Sequence, residues 1–177
     1  MKKRTKIIFI ILILIVLLIL FSVSISRRYV FDYCVQTGNS MSPAIENTDT
    51  FYLSKLAYLT KQPERWDIIA FESPVKNVQT MYIMRIIGLP GDKIESIDNE
   101  LFINGKKLKY PDKLNYLKLT PGFVKDGDIV YSSQIKYPYI VPQNSYYVRG
   151  DNNLLAYDSR SWGAVPKGNI KGKVIIK

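Results

Sequence analysis

Histidine is absent from all 177 residues, and cysteine occurs once, as Cys34. The first absence excludes Ser-His and Cys-His catalysis and removes the commonest metal ligand. The second excludes an internal disulfide, so the folded part of the chain must be held by its apolar core. Acidic residues are missing before Asp32, a stretch that holds Lys2, Lys3, Arg4, Lys6, Arg27 and Arg28. Set apart from it, the rest of the chain carries 19 basic and 15 acidic residues, an excess of +4. That is an ordinary soluble surface, compatible with lying against an anionic membrane and far from a nucleic-acid footprint. No internal repeat and no low-complexity linker interrupts the chain, so it reads as one domain behind a short appendage.

The appendage is MKKRTKIIFIILILIVLLILFSVSIS, in which 20 uncharged residues, 7–26, lie between Lys6 and Arg27. A helix of that length spans roughly 30 Å, the hydrocarbon thickness of a bilayer. A cleavable signal peptide has an apolar region of about 7–15 residues ending at a small-residue site. The strictly apolar run Ile7–Phe21 sits at that upper limit, and Ser22-Val23-Ser24 resembles such a site. The uncharged residues beyond it and the flanking Arg27-Arg28 favour a retained anchor. Four basic side chains before the span against two after it place the N-terminus in the cytoplasm. The expectation is a cytoplasmic tail (1–6), a single transmembrane anchor (7–26) and an extracytoplasmic domain (30–177).

Beyond the anchor, Tyr29, Phe31 and Tyr33 alternate with Val30, Asp32 and Cys34, which suits either the membrane interface or a first strand. QTGNSMSPAIENTDT is dense in turn-forming residues and reads as loop. Short β-like runs follow, each bounded by turn residues: TFYLSKL, DIIAFES, MYIMRIIG, ELFINGKKL, QIKYPYIV, SYYVRG and KVIIK. Asn104-Gly105 inside ELFINGKKL predicts a tight hairpin. Pro90-Gly91-Asp92 and Gly150-Asp151-Asn152-Asn153 mark further turns. Residues 53–62 alone suggest a short helix. The fold class is mainly β, an antiparallel domain behind one N-terminal helix.

Three segments carry chemistry: GNSMSPAI (38–45), YIMRIIGLPGD (82–92) and GDNNLLAYDSRSWG (150–163). Together, in this order and behind an anchor, they resemble the boxes of type I signal peptidases in the Gram-positive bacterial form. That family's fold is a membrane-anchored serine protease removing signal peptides outside the cytoplasmic membrane. ENTDTFYLSK and QPERWDIIAFESP fit its connecting segments, with Trp66 where the family usually has glycine. A serine hydroxyl needs a base, and without histidine the alternative is a neutral lysine buried in an apolar pocket. The resemblance makes Ser40 the nucleophile, followed by Met41 and Pro43 of the same box. Gly38 and the Ser40 N–H could then form an oxyanion hole, though Gly38 equally suits a turn needing positive φ. Met41 reads either as a cleft residue touching substrate or lipid, or as core.

In the second box Tyr82, Arg85, Gly88, Pro90, Gly91 and Asp92 match the family, but the lysine's place holds Met84. A thioether has no titratable proton, while its unbranched apolar stem fills a lysine's slot. Arg85 cannot substitute, since a guanidinium does not deprotonate in proteins. In the third box Gly150, Asp151, Asn152, Asp158, Ser159 and Arg160 match, with Asp158 and Arg160 read as a structural ion pair. The family's lysine-holding serine is replaced by Ala156. The base and its orienting partner are missing together. The resemblance implies no cofactor and no metal, and as partners signal peptides of exported precursors, or pilin precursors, since catalysis-deficient members assist pilus assembly. The alternative is an active peptidase with a substitute base.

Overall fold

The computed structural model describes residues 2–98, 100–118 and 135–176. The chain opens with helix α1 (Lys2–Tyr29), longer at both ends than the apolar run that motivates it. Arg4–Ile25 within it is long and apolar enough to cross a membrane, and none of that stretch is buried inside the protein. Among the described residues the strands that follow are β1 (Phe31–Val35), β2 (Thr50–Ser54), β3 (Ile68–Glu72), β4 (Met81–Gly88), β5 (Lys93–Ile97), β6 (Glu100–Ile103), β7 (Lys106–Lys107), β8 (Tyr139–Ile140), β9 (Ser145–Arg149) and β10 (Val165–Pro166). The last is β11 (Ile170–Ile175), and a one-turn helix α2 (Ser159–Trp162) sits between β9 and β10.

Every strand pairing is antiparallel. A seven-stranded sheet runs β1-β2-β11-β3-β4-β9-β10, and a four-stranded sheet runs β7-β6-β5-β8. The domain is therefore mainly antiparallel β behind one apolar helix, as the alternating short runs suggest. Two cores form, the second between the two sheets. Phe51, Leu53, Ile69, Phe71, Met84 and Ile86 belong to the first, while Ile87, Ile94, Leu101 and Tyr147 belong to the second. Strand β4 is shared between them, which is why MRIIG is buried throughout rather than on alternate residues. Burying a side chain the size of Phe or Ile contributes about 1.5–3 kcal/mol, so β4 ties the two cores into one cooperative body.

Some local expectations need correction. Residues 53–62 form no helix: Leu53 and Ser54 pair with β1 and β11, and turns follow. Leu56 and Leu59 are exposed, so there is no apolar stripe for a helix to bury. QIKYPYIV yields only β8, its Gln134 lying outside the described residues, as does Lys177 of KVIIK. Strand β5 was hidden in polar KIESI, where Ile94 alone is fully buried. The hairpin at Asn104-Gly105 forms, both residues at positive φ, with Ile103 opposite Lys106. Trp66 keeps its turn with φ 78°. Its N–H donates to the Ile86 carbonyl (2.8 Å), and its ring rests 5.4 Å from that of Tyr110.

Candidate active site

The first box lies in the loop between β1 and β2. Backbone bonds from Gln36 N–H to the Asp49 carbonyl (2.8 Å) and from Thr48 N–H to the Gln36 carbonyl (3.0 Å) close the loop. Gly38 has φ +88° and donates its N–H to Asn47 Oδ1 at 2.9 Å, which supports its reading as a turn residue. Met41 and Ile45 are buried in the first core. The Met41 side chain is therefore core and does not line an open cleft, correcting the alternative that had it touch substrate. Pro43 is exposed, and Ser40 is half-buried at the rim. The Ser40 carbonyl accepts from Asn152 N–H at 3.0 Å, joining the first box to the third.

Strand β4 carries the second box. Tyr82 packs on the core with its ring 5.9 Å from Phe71. Met84 is 1% exposed and lies opposite Ile69 of β3. Arg85 is buried and forms a two-point pair with Asp151, Nε to Oδ1 at 2.8 Å and Nη2 to Oδ2 at 2.6 Å. Burial alone would lower this guanidinium's pKa. The hydrogen bond and charge of Asp151 outweigh it and hold the pKa above its ordinary value. Arg85 Nη1 also donates to the Trp66 carbonyl at 3.0 Å, which explains how the Trp66 turn is fixed from below. Gly88 ends β4, and the Pro90-Gly91 turn leads to Asp92. That carboxylate accepts from Leu89 N–H (2.7 Å), Asn104 Nδ2 (2.7 Å) and Arg65 Nη2 (2.9 Å).

The third box begins where β9 ends. Gly150 has no room for a side chain: a Cβ there would stand 2.3 Å from the Ala156 Cβ and 2.5 Å from the Ser40 carbonyl oxygen. Ala156 is 3% exposed, so it is packed against the backbone that positions Ser40. Asp158 is fully buried and caps α2 by accepting from Arg160 N–H at 3.1 Å. It pairs with Arg160 Nε at 2.8 Å, as expected of a structural ion pair. Arg160 Nη2 continues to the carbonyls of Asn153 (2.8 Å) and Ala156 (3.2 Å), fixing the turn between them. Ser159 Oγ accepts from Val148 N–H at 2.9 Å.

The first and third boxes thus meet at Ser40, Gly150 and Ala156, and the second is joined to the third through the Arg85–Asp151 pair. Sequence reasoning missed Tyr116, whose hydroxyl donates to Asp151 Oδ2 at 2.9 Å. Burial, then the Asp151 charge, pushes its pKa up to about 12. Nothing in DKLNYLK marks this role. It missed Asn153 as well, whose Oδ1 accepts from Arg149 Nη2.

What this arrangement can do depends on a base. Met84 supplies none, and among lysines whose side chains are described, none is buried. Lys173 lies in the same cross-strand row, Lys173–Ile69–Met84, but its ammonium is paired with Asp67 at 2.5 Å. Among the described residues no cluster of His, Cys, Asp and Glu could hold a metal ion.

A family model described as "Signal peptidase, peptidase S26" matches residues 5–177. A signal peptidase I of Bacillus caldolyticus is 37% identical over 86% of this chain and 81% of its own length. A probable signal peptidase I-2 of Synechocystis is 30% identical over 85% of this chain, which spans 64% of that relative's length. The crystal structure of a signal peptidase I from Enterococcus faecalis is 33% identical, with TM-score 0.49, covering 65% of this chain and 98% of that one.

Proposed function

Because the chain belongs to the signal peptidase (peptidase S26) family, we propose that it engages signal peptides of exported precursors on the outer face of the membrane without Ser-Lys proteolysis. Helix α1 serves as a single-pass anchor with a cytoplasmic N-terminus, in line with its flanking charges. Ser40 keeps the nucleophile's position, and Arg85, Asp151, Asp158 and Arg160 keep the frame around it. Met84 fills the lysine's slot with an apolar stem, and Ala156 replaces the hydroxyl that would have oriented an ammonium. The observation that carries this reading is the burial of Met84 at 1% exposure with no described lysine buried beside it. Loss of one member of a catalytic unit costs about 10⁴–10⁶ in rate in another serine protease. A precursor held but not cut is the product of such a loss, with pilin-like precursors one class it would hold.

The test is a cleavage and binding assay on the full chain in detergent, with a pre-protein and a pilin precursor, read by mass spectrometry. The protein as it stands is expected to bind and leave the precursor intact. Met84→Lys, alone and with Ala156→Ser, is expected to cut at the small-residue site, and Ser40→Ala to abolish that cutting. The single variant separates the base from its orienting hydroxyl. Cleavage by the unmodified protein that Ser40→Ala abolishes would overturn the proposal and turn attention to a substitute base.

A further inference from the structure

The antiparallel register puts one end of five strands on one edge of the larger sheet. Strand β1 starts there at Phe31, β2 ends at Ser54 opposite it, and β11, paired through Lys173 to Ser54, starts beyond it. Strand β3 ends at Glu72, opposite Met81 at the start of β4. Helix α1 enters β1 at this same edge, and Lys55 N–H donates to the Val30 carbonyl at 2.9 Å, directly after the helix. The edge is the side from which the anchor leaves.

Two kinds of side chain gather on it. Leu56 (41% exposed), Leu59 (73%), Val78 (39%) and Met81 (52%) are apolar and uncovered. Leu59 also walls a cavity of about 160 Å³ at the start of β11, rimmed by Lys55, Lys167 and Lys171 with Tyr58 and Ile170 beside it. A single water's share of liquid volume is about 30 Å³, so the cavity has space for a larger polar group. Each lysine has a surface partner: Lys55 pairs with Asp32 at 2.8 Å, Lys171 with Glu72 at 2.8 Å, and Lys167 donates to the Gln62 amide oxygen at 2.8 Å. Exposed pairs of this type are weak and easily exchanged.

We infer that the Lys55–Lys167–Lys171 pocket, at the edge where the anchor leaves the domain, binds the phosphate headgroup of an anionic phospholipid. Charge complementarity selects the phosphate. Leu59 in its wall, with Leu56, Val78 and Met81 exposed along the same edge, selects the lipid over free phosphate, because apolar side chains at this level meet acyl chains and the headgroup boundary. Such binding would fix the rotation of the domain on the membrane and hold the Ser40 site at a constant height. The inference rests on α1 being a membrane span.

The test reconstitutes the full chain in nanodiscs of phosphatidylcholine, alone or mixed with phosphatidylglycerol, and follows lysine acetylation by mass spectrometry. Phosphatidylglycerol is expected to slow labelling of Lys55, Lys167 and Lys171 roughly five-fold each, leaving Lys106 and Lys109 on the far hairpin unchanged. Lys167→Gln with Lys171→Gln should remove the protection at Lys55. Equal slowing of Lys106 and Lys109 would reduce the effect to general surface potential and overturn the pocket. Equal protection by inorganic phosphate in phosphatidylcholine discs would overturn the lipid as its ligand. Failure of the chain to enter the discs would instead sink the reading of α1 as a span, a distinguishable result.

Discussion

Two buried positions only one residue apart in β4 behave in opposite ways. Arg85 is held by Asp151, Tyr116 and the Trp66 carbonyl, every contact polar and directional. Met84 sits in an apolar cluster with Ile69 and Phe71 and makes no directional demand. Arg85, with Asp151, Asp158 and Arg160, holds the loops that meet at Ser40. The Met84 position shapes chemistry only when a base stands there. The frame and the reactive group are therefore energetically separable. On the function proposed above, a chain of this family loses its base and keeps its fold because the replacement fills the slot and the ammonium's hydrogen-bond partner leaves with it.

Breaking the frame should have the largest effect. Asp151→Asn leaves the Arg85 guanidinium buried without its countercharge, a change that costs about 3–5 kcal/mol. In a domain of this size that is a fall in Tm of roughly 10 °C or more, measurable by thermal unfolding in detergent. Met84→Leu, similar in volume, should cost under about 1.5 kcal/mol. If both variants melt alike, the separation of frame and reactive group is wrong.

Next in size is Met84→Lys without its partner. Burial lowers a lysine's pKa below its unfolded value of about 10.4. The folded state then binds fewer protons than the unfolded state between those two values, so stability rises with pH across that window. The variant should be about 2–4 kcal/mol less stable than the parent at neutral pH. The deficit should shrink towards pH 10. A deficit independent of pH would mean the ammonium reaches solvent or a carboxylate.

The same separation explains what was legible in the sequence. The strands with apolar or aromatic runs, such as DIIAFES and SYYVRG, announce themselves because a short apolar run bounded by turn residues is a local signal. So do the hairpin at Asn104-Gly105 and the Asp158–Arg160 pair, which lies within one turn of chain. The Arg85–Asp151 pair spans 66 residues and appears only once β4 and β9 are side by side. Tyr116 on Asp151 is similarly non-local. Strand β5 was missed because its flanks are charged and its one deep anchor is Ile94. The helix expected at 53–62 does not form because Leu53 belongs to a strand of the core while Leu56 and Leu59 are left exposed.

The frame also carries a phenol hydrogen-bonded directly to its ion pair, and alkaline pH should isolate its contribution. Tyr116 is pushed up to about 12, by burial first and then by the Asp151 charge. An unfolded tyrosine loses its proton near pH 10. Between about 10 and 12 the folded state keeps a proton that the unfolded state has shed, so stability falls as pH rises through that window. Tyr116→Phe should flatten this alkaline limb of a Tm-against-pH curve, and Met84→Leu should leave its slope intact. Equal slopes in the parent and Tyr116→Phe would assign the alkaline loss to other phenols, of which buried Tyr147 is the first candidate.

The smallest effect belongs to the loop that presents Ser40. Gly38 has φ +88°, yet an added Cβ would meet nothing within 4 Å. The cost of Gly38→Ala is therefore backbone strain alone, about 1 kcal/mol, a shift of a few degrees in Tm. Its consequence for recognition is a separate matter, because the Gly38 N–H to Asn47 bond helps set the path of the chain two residues before Ser40. If the loop merely turns, Gly38→Ala lowers Tm slightly and leaves precursor affinity unchanged. If it presents the site, precursor binding falls while the buried frame stays folded. Isothermal binding to a signal peptide, run beside the melt, separates these outcomes. A loss of affinity without a matching loss of stability would show that the rim of the site can be disturbed independently of the frame beneath it, as the pairing of a rigid Arg85 with a replaceable Met84 requires.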